Sequence, residues 1–129
     1  MDKKPEALVS QIAQAIYDKK GMNTIAIDVR GISTITDFII IAEGNVDRHV
    51  TAIANHIQKE LFQAGEGHPA YVEGLQNGDW VVLDYIYVMV HLFVPGLREK
   101  YQLERLWSQG KVVELDIKLS PQISDSIVS

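Results

Sequence analysis

Residues 36–50 read TDFIIIAEGNVDRHV and contain the clearest structural pattern in the chain. Residues 36–42 form a continuous run rich in β-branched side chains, which is typical of a strand covered on both faces. A long amphipathic helix follows, with Asn45 as its expected N-cap and Gly65 as its expected end. A buried strand joined to such a helix predicts an α/β architecture.

The flanking sequence supplies the remaining predicted elements. Hydrophobic periodicity predicts helices at residues 5–20 and 95–110, and strands at residues 24–29, 36–42, 71–73, 80–84 and 87–93. Together with the central helix they give the order α-β-β-α-β-β-β-α. We therefore expect a mixed five-stranded sheet with flanking helices.

Length and composition indicate one globular domain. The chain has 129 residues, of which 47% are hydrophobic and 22% charged, and this length can bury an independent core. We expect a single domain at residues 1–116 and a disordered tail at residues 117–129. No apolar run approaches the ~18 residues of a membrane span, and the first residues lack a continuous apolar segment. We therefore expect a soluble, cytoplasmic protein without a membrane partner.

The charge pattern disfavours nucleic acid as the main partner. The net charge is −5, and lysine and arginine are scattered instead of forming the basic patch that phosphate binding requires. An acidic chain can still be steered towards a basic protein surface. There is no cysteine, and no pair of histidines has zinc-ligand spacing. We therefore predict neither a metal site nor a cofactor.

Eight short motifs, weak one by one, match a known family in order and spacing over about two-thirds of the chain. In chain order they are Asp28-Val29, Ser33-x-x-Thr36-Asp37-Phe38, Gly44-x-x-x-Arg48-His49-Val50, Ala52-Ile53-Ala54, Glu73-Gly74, Trp80-Val-Val-Leu-Asp84-Tyr85, Val90-His91-Leu-Phe93 and Arg98-x-x-Tyr101-x-Leu103-Glu104-x-Leu106-Trp107. With these motifs the chain resembles the ribosomal silencing factors, the RsfS/Iojap family.

The resemblance implies a nucleotidyltransferase-like α/β fold that has no transferase activity. It also implies binding to protein fourteen of the large ribosomal subunit, at the face where the small subunit would join. Occupying that face would prevent 70S formation and reduce translation when nutrients are short. Contact with rRNA would be peripheral at most, and the resemblance leaves a homodimer open.

One motif departs from the family. Where the family usually has Asp-Tyr-Gly-Asp, this chain has Asp84-Tyr85-Ile86-Tyr87. Glycine suits a tight hairpin because it tolerates positive φ, and isoleucine is a poor substitute. We therefore expect the bend to move or to take another turn type.

The expected partner-binding surface combines the resemblance with helical spacing. In a single last helix, spacings of three would place Arg98, Tyr101, Glu104 and Trp107 on one side, with Leu103 and Leu106 on the neighbouring apolar stripe. Aromatic residues and arginine are the types that dominate interface energetics. The alternative is that Trp80, Tyr101 and Trp107 pack in the core. The expected surface consists of Trp80, Asp84, Tyr85, Arg98, Tyr101, Leu103, Glu104 and Trp107.

Three other features each allow two interpretations. Asp84 can pair with Arg98 or cap a turn. His91 lies in an apolar strand and is expected to be a hydrogen-bonded core histidine in preference to a ligand. Arg48 and His49, at the start of the central helix, are either an anion site or part of an ordinary surface helix.

The rival function is a Mg²⁺-dependent nucleotidyltransferase or a nucleotide-binding domain. Such an enzyme needs Asp-x-Asp/Glu on one strand, because alternate residues share a face and can chelate Mg²⁺ together. Here Asp28 is followed two places on by Arg30, and Asp84 by Ile86. No predicted strand contains the pair. The sequence therefore predicts a binding protein without enzymatic activity.

Overall fold

The computed structural model of this chain describes residues 5–119. The helices are Pro5–Asp18 (α1), Asp47–Gln63 (α2) and Pro95–Tyr101 (α3), followed by a 3₁₀ helix at Leu103–Trp107. The strands are Met22–Asp28 (β1), Phe38–Glu43 (β2), Tyr71–Glu73 (β3), Trp80–Asp84 (β4), Val88–Phe93 (β5) and Lys111–Val112 (β6).

All of these strands join one sheet in the order β3-β4-β5-β2-β1-β6. The β2–β5 pair is parallel and the other neighbouring pairs are antiparallel. The predicted mixed α/β fold with flanking helices is thus confirmed, but the predicted number of five strands was wrong. The additional strand, β6, pairs Val112 with Ile27 at the edge of the sheet. At two residues it is too short to leave a periodic pattern in the sequence.

Helices α1 and α2 cover one face of the sheet and form the larger core with it. Strand β2 lies between β5 and β1, and its residues 38–42 are all buried. This agrees with the prediction of a strand covered on both faces. The largest fully buried side chains of the structure are Phe38, Phe93, Ile12, Ile16, Ile39, Ile40, Ile41, Ile53, Ile57, Leu61, Leu83 and Leu92.

The opposite face carries a smaller core, over which α3 and the 3₁₀ helix lie. The prediction of one helix from 95 to 110 was wrong. Gln102 has a φ of 45°, in the left-handed region, and its N–H donates to the carbonyl oxygen of Arg98 at 2.8 Å. This conformation ends α3 at Tyr101 and starts the tighter 3₁₀ helix in a new direction.

The start of α2 also differs from the prediction. Val46 is the N-cap and its side chain makes no capping hydrogen bond, so the expected cap at Asn45 was wrong. The backbone N–H of Asn45 instead donates to Nδ1 of His49 at 2.9 Å. The other ring nitrogen of His49 then donates to the carbonyl oxygen of Lys19, at 2.7 Å. Both nitrogens are therefore used to hold this helix to the α1–β1 loop, as in an ordinary structural helix start.

The turn between β4 and β5 is a γ-turn centred on Ile86. Its φ is 76°, and the N–H of Tyr87 donates to the carbonyl oxygen of Tyr85 at 2.9 Å, as a γ-turn requires. Oδ1 of Asp84 accepts a hydrogen bond from the Ile86 N–H at 2.8 Å. The bend in this chain is therefore a γ-turn with Ile86 at positive φ. The open question about Asp84 is answered: it caps the turn.

Replacing Ile86 with glycine should raise the free energy of unfolding by about 1 kcal/mol. A β-branched residue held at such a φ carries strain of order 1–3 kcal/mol, more than the ~0.5–1 kcal/mol that glycine adds in unfolded-state entropy. Urea denaturation measures the change. Ile35→Gly, at an exposed isoleucine of the neighbouring loop whose φ is not positive, should lower the stability. Equal losses in both variants would contradict the strain.

Most of the predicted C-terminal tail lies outside the described residues. Within them, the backbone of Lys118 exchanges two hydrogen bonds with the side chain of Gln14 on α1, at 3.1 and 2.8 Å. The chain is therefore held against α1 at this point. Residues 120–129 are not described, so the predicted disorder there stays a prediction.

Candidate functional site

Four rings meet on the sheet face opposite α1 and α2, and we call them the aromatic cluster: Trp80, His91, Phe93 and Tyr101. The indole of Trp80 lies 4.8 Å from the Phe93 ring and 5.1 Å from the Tyr101 ring, centroid to centroid. The tilts of 31° and 38° between these rings are ordinary for packed aromatic pairs. Phe93 is fully buried, whereas Trp80 is half-buried and Tyr101 is 49% exposed. The cluster therefore rises from the core to the surface.

Backbone contacts fix the position of Trp80. It is the first residue of β4 and pairs with Phe93 of β5. Gly74, in the loop after β3, has a φ of 81°, and a Cβ there would overlap the backbone oxygen of Trp80. Only glycine therefore allows this loop to pass so close. The Glu73-Gly74 motif owes its glycine to the placement of Trp80.

His91 lies beneath Trp80 as a buried, uncharged histidine. Its Nδ1 accepts a hydrogen bond from Nε1 of Trp80 at 3.1 Å, so the ring proton resides on Nε2. Burial lowers the pKa of His91 to about 4, because a charged imidazolium is poorly stabilised away from water. His91 is thus the hydrogen-bonded core histidine that the sequence predicts.

Acidification should weaken the fold through His91. In the unfolded chain the histidine has its ordinary pKa of 6.5, and in the folded chain about 4, so between these values the unfolded state binds the extra proton. Stability is therefore full above pH 6.5 and falls as the pH drops. The loss should reach about 2 kcal/mol at pH 5. Denaturation at pH 7.5 and 5 measures it. The His91→Asn variant should show a smaller loss, and an equal one would contradict the assignment.

Arg98 joins α3 and the 3₁₀ helix to the sheet through two carboxylates. Its Nη1 contacts Glu43 of β2 at 3.0 Å, and its Nη2 contacts Glu104 at 2.9 Å. The side chains of Arg98 and Glu43 are only 11% and 12% exposed, and that of Glu104 35%. Nη1 also donates to the carbonyl oxygen of Asn23. Arg98 and Glu104 thus meet as an ion pair across the helix break, and hold the 3₁₀ helix in place.

In the 3₁₀ helix, the side chains that face the core are not the ones that the predicted α-helix would place there. Leu103 and Trp107 are half-buried against the smaller core. Leu106, expected in the apolar stripe of the last helix, is 69% exposed. The expectation of one helix side running from Arg98 to Trp107 was therefore wrong, because the helix breaks at Gln102.

Tyr85 lies apart from the other predicted surface residues. Trp80, Val82 and Asp84 alternate on one face of β4, and this alternation turns Tyr85 towards the α1–α2 side. It is 7% exposed, and burial raises its pKa to about 12. Its hydroxyl has no hydrogen-bond partner within residues 5–119. The expectation that Tyr85 belongs to the partner-binding surface was thus wrong.

Acidic side chains share the sheet face of the aromatic cluster. Strand pairing places Glu73 and Asp84 on the same sheet face as Trp80, and Asp79 is exposed beside it. Tyr71 pairs with Asp84 and is exposed on this face as well. Tyr71 is not part of the surface expected from sequence, because a three-residue strand shows too little alternation to assign a face.

Within residues 5–119, no three His, Asp or Glu side chains come together in a way that could hold a metal ion. No helix in the same range is long and apolar enough to cross a bilayer.

Comparisons with known proteins agree with this architecture. A family model described as "Ribosomal silencing factor during starvation" matches residues 2–127. A Ribosomal silencing factor RsfS from Zymomonas mobilis is 36% identical over 106 residues, which cover 82% of this chain and 79% of the relative. One of the same name from Halalkalibacterium halodurans is 35% identical over 111 residues, covering 86% and 94%.

A solved structure gives the same result for the fold. The crystal structure of a protein from Chromobacterium violaceum superposes with a TM-score of 0.80 at 28% identity, covering 92% of this chain and 98% of that one. The match of the family model extends over nearly the whole sequence. The chain therefore belongs to the family of ribosomal silencing factors.

Proposed function

We propose that this protein binds the large ribosomal subunit through its protein fourteen and blocks association with the small subunit. The observation that carries the proposal is the aromatic cluster, which brings Trp80 and Tyr101 to the surface on a rigid sheet. Membership of the family supports a role in translation silencing at the ribosome. Large aromatic side chains anchored in a packed core are the usual centres of protein interfaces.

Charge supports a basic protein as the partner. The chain carries a net charge of −5, and Glu73 and Asp84 lie on the same sheet face as Trp80, although the ammonium of Lys100 lies over the Tyr101 ring, 5.5 Å from its centroid. Such a surface attracts basic proteins over a distance and repels the phosphates of rRNA. Contact with rRNA is then peripheral, and association with the partner weakens as salt is added.

The proposed mechanism is steric occlusion. A standard interface of ~1,600 Å² can hold a partner with nanomolar affinity, about −12 kcal/mol. A bound domain of this size fills space that the small subunit needs when it joins. Silencing then requires only that the protein stays bound, and it ends when the protein dissociates.

We expect the fold to be nucleotidyltransferase-like, but the geometry favours binding over nucleotidyl transfer. The carboxylate of Asp28 is paired with Arg30 at 2.7 Å, and that of Asp84 caps the Ile86 turn. Asp28 and Asp84 therefore lie on different strands, β1 and β4, and each carboxylate already has a structural partner. Mg²⁺-dependent ATP turnover by the purified chain would instead favour the enzyme.

The first test is binding to isolated protein fourteen and to separated ribosomal subunits. We expect binding to protein fourteen and to large subunits, and none to small subunits. Tyr101→Ala should weaken binding about tenfold, because the exposed ring contacts Trp80 but adds little to the core. Calorimetry measures the affinity of the wild type and of Tyr101→Ala for protein fourteen, and co-sedimentation measures their binding to each subunit. Equal binding to both subunits, or an unchanged affinity of the variant, would contradict the proposal.

A further inference from the structure

We propose that His91 is a positioning residue for partner binding: its Nδ1 holds the Trp80 indole in the orientation that the partner meets. This proposal rests on the proposed function, because the orientation of Trp80 matters for binding only if Trp80 contacts the partner. It assigns a role to a buried side chain that does not itself reach the partner.

The contact between Trp80 and His91 is directional. The indole Nε1–H is the sole hydrogen-bond donor of the Trp80 side chain, and it points to Nδ1 of His91 at 3.1 Å. Its contacts with Phe93 and Tyr101 are ring-to-ring packing, which tolerates sliding and tilting. The bond to His91 is thus the directional restraint on the indole.

The acceptor, His91, is held in place by its neighbours in the sheet. His91 lies in β5, paired with Val82 of β4 and Ile41 of the fully buried strand β2. Its ring lies nearly parallel to that of Phe93, with 14° between the planes and 6.3 Å between the ring centroids. A side chain fixed by strands on both sides loses little additional freedom when it accepts a bond. His91 can therefore restrict the motion of the half-buried Trp80 side chain.

An ordered Trp80 side chain favours partner binding. An interface side chain that is already ordered loses less conformational entropy when the partner docks. Removing the acceptor frees the indole and leaves its N–H without this partner. We expect binding to the large subunit to weaken about fivefold to tenfold, as for the loss of one hydrogen bond.

The test compares His91→Leu with His91→Asn. Leucine keeps apolar volume and removes the acceptor. In asparagine, Oδ1 is separated from Cβ by two bonds, as Nδ1 is in histidine, so it can take over the hydrogen bond. Two quantities are measured: affinity for large subunits, and the solvent exchange of the Trp80 indole N–H by ¹⁵N NMR. A Trp80→Phe spectrum assigns the signal.

In the wild type we expect a slowly exchanging indole N–H and tight binding. His91→Leu should lose both, and His91→Asn should recover both, which a merely structural role would not predict. Wild-type affinity in His91→Leu, or no recovery in His91→Asn, would overturn the inference. If His91→Leu does not fold, His91→Met serves as the variant without a strong acceptor. If wild-type protein does not bind large subunits, the proposed function fails, while the NMR comparison still decides whether His91 holds Trp80.

Discussion

Replacing Trp80 with glutamate should lower the affinity for large ribosomal subunits at least a hundredfold. The change removes the central ring of the aromatic cluster and places a carboxylate where a partner would have to bury it. Loss of a central tryptophan from an interface commonly exceeds 2 kcal/mol, and about 2.7 kcal/mol corresponds to a hundredfold change in affinity. Co-sedimentation or surface-based binding with purified large subunits measures the effect.

A matched control for this variant is Phe62→Ala. Phe62 is also an exposed aromatic residue, but it lies on α2, which packs on the other face of the sheet. It stacks on His68 with ring centroids 4.5 Å apart, so its removal also breaks an aromatic contact. We expect wild-type binding from this control. If Phe62→Ala weakens binding and folded Trp80→Glu does not, the assigned face is wrong.

Replacing Arg98 with methionine should lower the free energy of unfolding by about 3 kcal/mol. Breaking a buried ion pair by removing one partner typically costs about 3–5 kcal/mol, because the remaining charge is left without compensation. Here two carboxylates remain: that of Glu43, nearly buried, and that of Glu104, about one-third exposed. The partial exposure of Glu104 places the estimate at the lower end. Urea denaturation followed by circular dichroism measures the change.

Arg30→Met is the matched control for this prediction. Arg30 also pairs with two carboxylates, Asp28 at 2.7 Å and Glu6 at 3.0 Å, but its side chain is half-exposed. Exposed pairs contribute little to stability, so the loss should be much smaller. Adding Glu43→Gln and Glu104→Gln to Arg98→Met should restore part of the stability. Equal losses in the two arginine variants would contradict the role of burial.

The elements with long, regular patterns were predictable from sequence. The apolar run at 36–42 predicted a fully buried strand, and the structure places β2 inside the sheet with both faces covered. The apolar stripe from Val50 to Leu61 likewise matched α2. In these segments the buried positions recur at a regular spacing, so the residue types reveal the element. The secondary-structure preference of the residues also agrees with their tertiary packing.

The segment from α3 to the 3₁₀ helix was less predictable, because the left-handed conformation of Gln102 changes the direction of the residues that follow it. The apolar spacing from Leu97 to Trp107 continues in the sequence, and nothing in it marks Gln102 as left-handed. Glutamine rarely takes this conformation, and the Arg98–Glu104 pair across the break forms only in the folded structure. Leu106, which was expected in the apolar stripe of the last helix, is therefore exposed.

Only part of the candidate site could be predicted from sequence, because its contacts depend on the three-dimensional fold. Trp80 and Tyr101 were selected by residue type, and the structure brings their rings together. Tyr85 was selected because it follows Asp84 in a family motif, yet strand alternation turns it to the other face. The contribution of His91 depends on a cross-strand contact with Trp80, which residue spacing alone does not specify.

The proposal as a whole can be tested by a subunit-joining assay. Purified large and small subunits are mixed with increasing amounts of this protein, and 70S particles are quantified by sucrose-gradient sedimentation. We expect 70S formation to fall to a small fraction at saturation, with the protein sedimenting with free large subunits, and we expect Trp80→Glu to have no effect. Normal 70S formation in a saturating excess of the wild-type protein would contradict the proposal.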